Sequence, residues 1–344
     1  MLFFQNYSNL YPPNKTLCAR LEMLQELLEK AKIELQSLDN KRRLIFPEGT
    51  NSKIQEVALK LKSDNYIEPI LCFENKIDIP KSLLGAGIKT IAIDDSLTDE
   101  LAQQLFTMRK NKITLEKAQE LVQETNYFAT MQLKNNNADC LLGGIEYATK
   151  NILVPALQII KTTKDVGIAS SANLLVKDNQ RYVFTDISLN IDPTTEQLVS
   201  ITKSAINLAH KLGITSPQVA MLSFSTANSA SSDSVIKVQE ATKILQKENL
   251  DALIEGEMQF DSALLEEVRM KKMPYSKMKG SADIFVFPNL DAGNIGYKIA
   301  ERLGQYHAVG PMILGLNQVV SDLSRGSTVE DIYLTAILTA WRSI

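Results

Sequence analysis

A hydroxyl, a guanidinium and a carboxylate lie close together in the run Asn317-Gln318-Val319-Val320-Ser321-Asp322-Leu323-Ser324-Arg325-Gly326-Ser327-Thr328-Val329-Glu330-Asp331. The grouping of Ser324, Arg325 and Asp331 suits phosphate and acyl chemistry. Gly326 permits a left-handed or tight turn. Ser327 with Glu330 three residues later forms a capping-box pattern ahead of Val329, Tyr333, Ile337 and Trp341, an apolar stripe at helical spacing. The turn therefore feeds a helix N-terminus, where free N–H groups and the positive dipole end favour an anion. Arg325 adds a planar fork that can grip phosphate by two hydrogen bonds, and Asp331 sits about one turn into the helix. An ordinary helix start has the same local pattern, so the remaining segments have to decide.

The elements that would position this turn alternate along the chain. Arg43 to Phe46, Ile70 to Phe73, Thr90 to Ile93 and Cys140 to Leu142 read as strands, with helices over Ile54 to Leu61 and Leu115 to Thr125. A second set has strands at Gly167 to Val176, Tyr182 to Thr185, Val219 to Phe224, Ala252 to Glu255 and Ile284 to Phe287. Its helices cover Glu196 to Leu212, Val235 to Gln246 and Ile295 to Leu303. Such alternation implies mostly parallel sheets, hence two three-layer α/β lobes with an active-site cleft between them. Lys161 to Gly167 and the Gly310-Pro311 pair are candidate crossings. The expected first domain is residues 1–163 with 312–344, and the second is 164–311. Residues 1–22 read as an extension, because the amphipathic pattern starts only near Met23, with Leu24, Leu27, Leu28 and Ala31.

The chain has 344 residues, a formal net charge of -3, three cysteines and two histidines. That balance offers no basic field for nucleic acid and no polybasic cluster for anionic lipid. Small molecules are the expected partners. Cys18, Cys72 and Cys140 are dispersed without metal spacing, and His210 and His307 are far apart, so no metal site and a reduced, cytoplasmic setting are expected. The first residues do not read as a signal peptide, and no stretch is long and apolar enough to span a bilayer.

Common cofactor motifs are missing. Gly85-Ala86-Gly87 has Thr90 where a dinucleotide fingerprint needs its third glycine, and neither a P-loop nor a G-x-S-x-G elbow occurs. What remains are small polar loops after strands: Phe224-Ser225-Thr226-Ala227-Asn228-Ser229-Ala230 and Pro288-Asn289-Leu290-Asp291-Ala292-Gly293-Asn294. Both offer hydroxyls, amides and N–H groups at a sheet's active end; the same residues also serve as turns and caps. Arg109, in Met108-Arg109-Lys110-Asn111-Lys112, is a further phosphate-binding candidate.

These residues resemble the phosphate acetyl/butyryl transferase family. The resemblance runs from about Arg43 to the C-terminus. It is carried by Phe46-Pro47-Glu48-Gly49, Met108-Arg109-Lys110, Pro155 to Thr162, Ala220 to Thr226, Glu255 to Asp261, Phe287 to Lys298 and the Ser324-Arg325-Gly326 motif. It implies reversible acetyl transfer between coenzyme A and inorganic phosphate, with coenzyme A as substrate, no permanently bound cofactor and a homodimer. By the same resemblance Asp331 takes the thiol proton, Ser324 stabilises the oxyanion, Arg325 binds acetyl phosphate and Arg109 helps to hold coenzyme A. Ser225, Thr226, Asn289, Asn294, Lys298 and Asn317 are the other candidate contacts for substrate or coenzyme A.

The chain departs from the family pattern at Val154, where an arginine is usual, at Thr50-Asn51-Ser52-Lys53 after Pro-Glu-Gly, and at Ser327, where a cysteine is usual. Lys150 or Lys161 could replace the missing cation. A free aspartate, with pKa about 3.9, is a poor base for a thiol of about 8.5, so the base role demands a direct reach to the thiol with Arg325 turned toward phosphate. A butyryl transferase, a non-catalytic ligand-binding module of the same fold and an NAD-linked dehydrogenase are the alternative readings, the last disfavoured for want of cofactor signals.

Overall fold

The computed structural model describes residues 22–93, 95–110 and 112–344. The expected N-terminal extension, Cys18 and Asn111 lie outside the described residues. Eleven strands are described: β1 (Arg42–Phe46), β2 (Ile67–Phe73), β3 (Lys89–Ala92), β4 (Cys140–Gly143), β5 (Ser170–Lys177), β6 (Gln180–Thr185), β7 (Gln218–Leu222), β8 (Leu253–Met258), β9 (Ile284–Val286), β10 (His307–Leu314) and β11 (Val319–Asp322). They run in the order β3-β2-β1-β4-β11-β10-β5-β6-β9-β7-β8. Pairing is parallel from β3 to β11 and again from β6 to β8, and antiparallel across β11, β10, β5 and β6.

Ten of the helices are α1 (Glu22–Gln36), α2 (Ser52–Asp64), α3 (Asp95–Met108), α4 (Leu115–Val122), α5 (Thr125–Lys134), α6 (Thr149–Pro155), α7 (Thr195–Lys211), α8 (Asp233–Lys247), α9 (Leu290–Arg302) and α10 (Val329–Arg342). None among the described residues is long and apolar enough to cross a membrane. The strand cores explain the layers. Leu44, Ile45 and Phe46 at the end of β1 are all buried, consecutive residues pointing to opposite faces, so both faces of the sheet are covered. The helix α10 buries Ile332, Leu334, Ile337, Leu338 and Trp341, and a helix apolar on every side has to be central rather than peripheral. It packs against α1 and α2. The Tyr333 hydroxyl donates to Asp64 at 2.6 Å, and the Trp341 indole N–H donates to Glu34 at 2.6 Å.

Two expectations change here. The strand sets read as separate sheets form one continuous sheet, joined through β10 and β11. β10 escapes a pattern reading because it is interrupted at Gly310-Pro311, where the ladder shifts register between Val309 and Met312, and β11 runs almost directly into the Ser324-Arg325 turn. Proline has no N–H to give to a ladder, so a pair that looks like a loop is an irregularity inside a strand. The single helix read over Leu115 to Thr125 is two, α4 ending at Val122 and α5 starting at Thr125.

Candidate active site

The strands β1, β4 and β11 are adjacent and parallel, and their C-terminal ends meet, the usual place for ligands in open α/β sheets. β1 ends in Phe46-Pro47-Glu48. The buried Glu48 carboxylate accepts four backbone N–H groups of the loop after β4: Gly144 at 2.8 Å, Ile145 at 3.2 Å, Glu146 at 2.7 Å and Tyr147 at 2.8 Å. Four donors on one carboxylate hold that loop in a single shape.

Beside it, at the end of β11, the buried Asp322 has much less support. Thr149 Oγ1 donates to its Oδ2 at 2.6 Å, while its Oδ1 is buried without a partner. Burial pushes the carboxyl up to about 7, opposed by the Thr149 hydrogen bond and reinforced by the nearby Glu48 charge. The same Asp322 charge is felt by Tyr297 on α9, whose phenol is pushed up chiefly by burial.

The turn carrying Ser324 and Arg325 follows directly. Both side chains are exposed. Ser324 Oγ accepts a long 3.4 Å hydrogen bond from the Gly326 N–H, and Arg325 makes no hydrogen bond or ion pair among the described residues. Gly326 is not among the residues with positive φ, so its left-handed freedom goes unused. The capping pair is also one residue later than the pattern read over Ser327 and Glu330. Ser327 closes the turn through its N–H to the Ser324 carbonyl at 2.9 Å and is itself buried, so Thr328 takes the extended cap position. Thr328 Oγ1 accepts the Asp331 N–H at 3.2 Å, and Asp331 Oδ2 accepts from the Thr328 N–H and hydroxyl, each at 2.8 Å. The proposed base is thus also the third-position partner of a capping box. Its other oxygen, Oδ1, lies 3.6 Å from His307 Nε2.

The other sequence candidates are spread more widely. Asn289 is the N-cap of α9, accepting from the Ala292 N–H at 3.0 Å, and Asn294 donates to the Ile187 carbonyl at 3.0 Å. Lys298 is exposed on the same helix. Ser225 and Thr226 are buried in their own loop, Ser225 donating to Glu257 at 2.8 Å and Thr226 to Gln259 at 3.2 Å. The Asn317 amide donates to the carbonyls of Ile160, Lys161 and Thr162. Arg109, just past the end of α3, has a buried Nε without a hydrogen-bond partner and acts electrostatically on Tyr127 of α5. Val154 lies in α6, flanked by the exposed Lys150 and Lys161. Cys72 and Cys140 are buried, and burial pushes both thiols up, Cys140 to about 12; neither behaves as a nucleophile. A cavity of about 500 Å³ lined by Leu245, Glu248, Ile254, Met273, Tyr275 and Lys277 lies at the edge strand β8 and contains none of the candidates.

Four residues that matter here were given no site role by the sequence reading: Glu48, Lys53, Thr149 and Asp322. Lys53 Nζ donates to the Ser327 carbonyl at 2.8 Å, tying α2 to the Ser-Arg-Gly turn. Glu48 just past β1 and Asp322 at the end of β11 both lie inside quoted motifs, which is the signal that could have found them.

An α/β fold with a hydroxyl, a free guanidinium and a carboxylate at parallel strand ends belongs among group-transfer enzymes that handle anionic substrates. The family model described as phosphate acetyl/butaryl transferase matches residues 22–340. A phosphate acetyltransferase of Mycoplasma capricolum is 43% identical over 318 residues, covering 92% of this chain and 99% of the relative. One from Staphylococcus aureus is 42% identical over 311 residues, covering 88% and 94%. A phosphotransacetylase structure from Streptococcus pyogenes superposes with TM-score 0.87 at 38% identity, covering 93% of this chain and 98% of that one. The chain belongs to the phosphate acetyl/butaryl transferase family and is an acyltransferase enzyme whose relatives are phosphate acetyltransferases.

Proposed function

We propose that the chain catalyses reversible acetyl transfer between coenzyme A and inorganic phosphate through the turn before α10. What supports this reading is the exposed Ser324-Arg325 turn that follows β11 and leads to Asp331 in the first turn of α10, in a chain whose relatives carry that activity in their names. Toward acetyl-coenzyme A, Asp331 takes the thiol proton and the thiolate attacks the carbonyl carbon of acetyl phosphate. Ser324 donates to the oxyanion that forms, Arg325 holds the phosphoryl oxygens, and collapse breaks the C–O bond to release phosphate. Arg325 has no competing carboxylate among the described residues, which leaves its fork for phosphate.

Asn289 at the N-cap of α9 and Asn294 and Lys298 on that helix remain the binding candidates of the second block, with Ser225 and Thr226 in a separate loop. Arg109 and one of Lys150 or Lys161 supply cationic contacts to coenzyme A where Val154 cannot, and Asn317 braces the Ile160–Thr162 turn beside them. The two blocks act as domains 1–163 with 312–344 and 164–311, in a homodimeric cytoplasmic enzyme without a resident metal or redox cofactor. The test is phosphate-dependent release of free thiol from acetyl-coenzyme A, run beside butyryl-coenzyme A. Thiol release that requires phosphate and is faster with the acetyl substrate is expected; no phosphate-dependent release would overturn the reading, and faster release with butyryl would move it to the longer acyl chain.

A further inference from the structure

We propose that His307 completes a proton relay with Asp331, so that the coenzyme A proton passes through Asp331 Oδ1 and comes to rest on His307 Nε2. The inference rests on the base role given to Asp331 and adds a residue to it. Three observations carry it. His307, at the first position of β10, brings Nε2 to 3.6 Å from Asp331 Oδ1, the oxygen left over when Oδ2 is occupied by Thr328. That ring nitrogen is buried and makes no hydrogen bond. The gap is longer than an N–H···O bond, and the relay requires the ring proton on Nδ1 so that Nε2 can accept.

The chemistry supplies the reason for such a partner. Moving a proton from a thiol near 8.5 to a free aspartate near 3.9 is uphill by about 4.6 pH units, whereas a free imidazole near 6.5 is uphill by only about 2. The proton bookkeeping is simple. The S–H bond breaks and an O–H bond forms at Oδ1; that proton then moves to Nε2, regenerating the carboxylate beside an imidazolium, while the thiolate displaces phosphate from the acetyl carbon. In the reverse direction the imidazolium returns the proton to the departing thiolate. Catalytic separations of this kind commonly tighten when substrate binds.

The surroundings of the ring add few competing charges. On β5 the residue opposite His307 is Val176, and Lys177, the next cation there, is turned to the Gly304 carbonyl at 2.9 Å and the Tyr306 ring. On the α10 side, Arg325 and Glu330 form no ion pair with either relay member among the described residues, and Asp331 is the charged group in reach of Nε2.

The chain's two histidines allow a direct reading by NMR of the imidazole nitrogens, with His210→Gln to assign the signals. The His307 Nε2 is expected to resonate as an unprotonated nitrogen at high pH. In kinetics, His307→Gln should lower kcat by roughly a hundredfold, the low side of what a positioned base contributes, and displace the acid limb of the pH profile to lower pH, with KM for both substrates little changed. An Nε2–H tautomer or an unaltered pH profile in His307→Gln would overturn the relay. If Asp331→Asn kept full turnover, the base role itself would fall, a result separate from these. Should His307→Gln fail to fold, the NMR reading of the Nε2 tautomer in the intact protein decides alone.

Discussion

At the scale of single residues, two buried or capped carboxylates and a free hydroxyl set what can be measured. Ser324 Oγ receives only a long bond from the Gly326 N–H, so its hydroxyl hydrogen is available to an oxyanion. Losing such a donor costs about 2.7–4 kcal/mol in the barrier, and Ser324→Ala is expected to lower kcat roughly a hundredfold or more in the thiol-release assay. Asp322 reports differently, through stability. Its carboxyl is pushed up to about 7 in the folded protein, while an unfolded aspartate releases its proton near 3.9. Between those values the folded state binds more protons than the unfolded one, so stability declines as pH rises from about 4 to about 7 and is level above. Asp322→Asn cannot ionise and should remove this decline. Urea unfolding at pH 5 and pH 7 should show the loss of stability between them smaller in the variant, by on the order of 2 kcal/mol; an unchanged difference would contradict the buried ionisable carboxyl.

At the scale of elements, the start of α10 serves structure and chemistry with the same two side chains. Thr328 and Asp331 satisfy each other's backbone N–H, and that exchange fixes where Asp331 Oδ1 points. Removing the cap costs typically about 1 kcal/mol. Thr328→Ala is therefore expected to lower thermal stability by about that amount and to slow turnover, with Thr328→Ser restoring both; a variant that loses stability but keeps full turnover would separate the two roles. The position of the cap shows where pattern reading reaches its limit. Ser327 with Glu330 and Thr328 with Asp331 both fit the local signature. Burial of Ser327 and the Lys53 bond to its carbonyl, contacts from outside the helix, accompany the choice of the second pair.

At the scale of the whole molecule, the apolar stripe left on α9 and just beyond is the main unfinished surface. Ile295, Ile299 and Leu303 follow at helical spacing with 57%, 52% and 81% exposure. A proposed homodimer would cover such a stripe. Ile299→Lys is expected to shift the mass measured by light scattering from dimer to monomer while the circular dichroism stays the same; a dimer that persists would place the contact elsewhere.

Local signals were enough to determine the alternating α/β class, most strands of both blocks and the apolar α10, because periodicity and motif spacing act over a few residues. The tertiary structure decided what depends on distant partners. It joined the blocks through β10 and β11, since a Gly-Pro pair inside a strand and a strand running almost directly into a turn carry weak periodic signals. It placed Glu48 under the loop after β4, left Asp322 nearly unpartnered, and set His307 beside Asp331. Each of these pairings joins segments far apart in sequence, and only packing brings their charges and donors within reach.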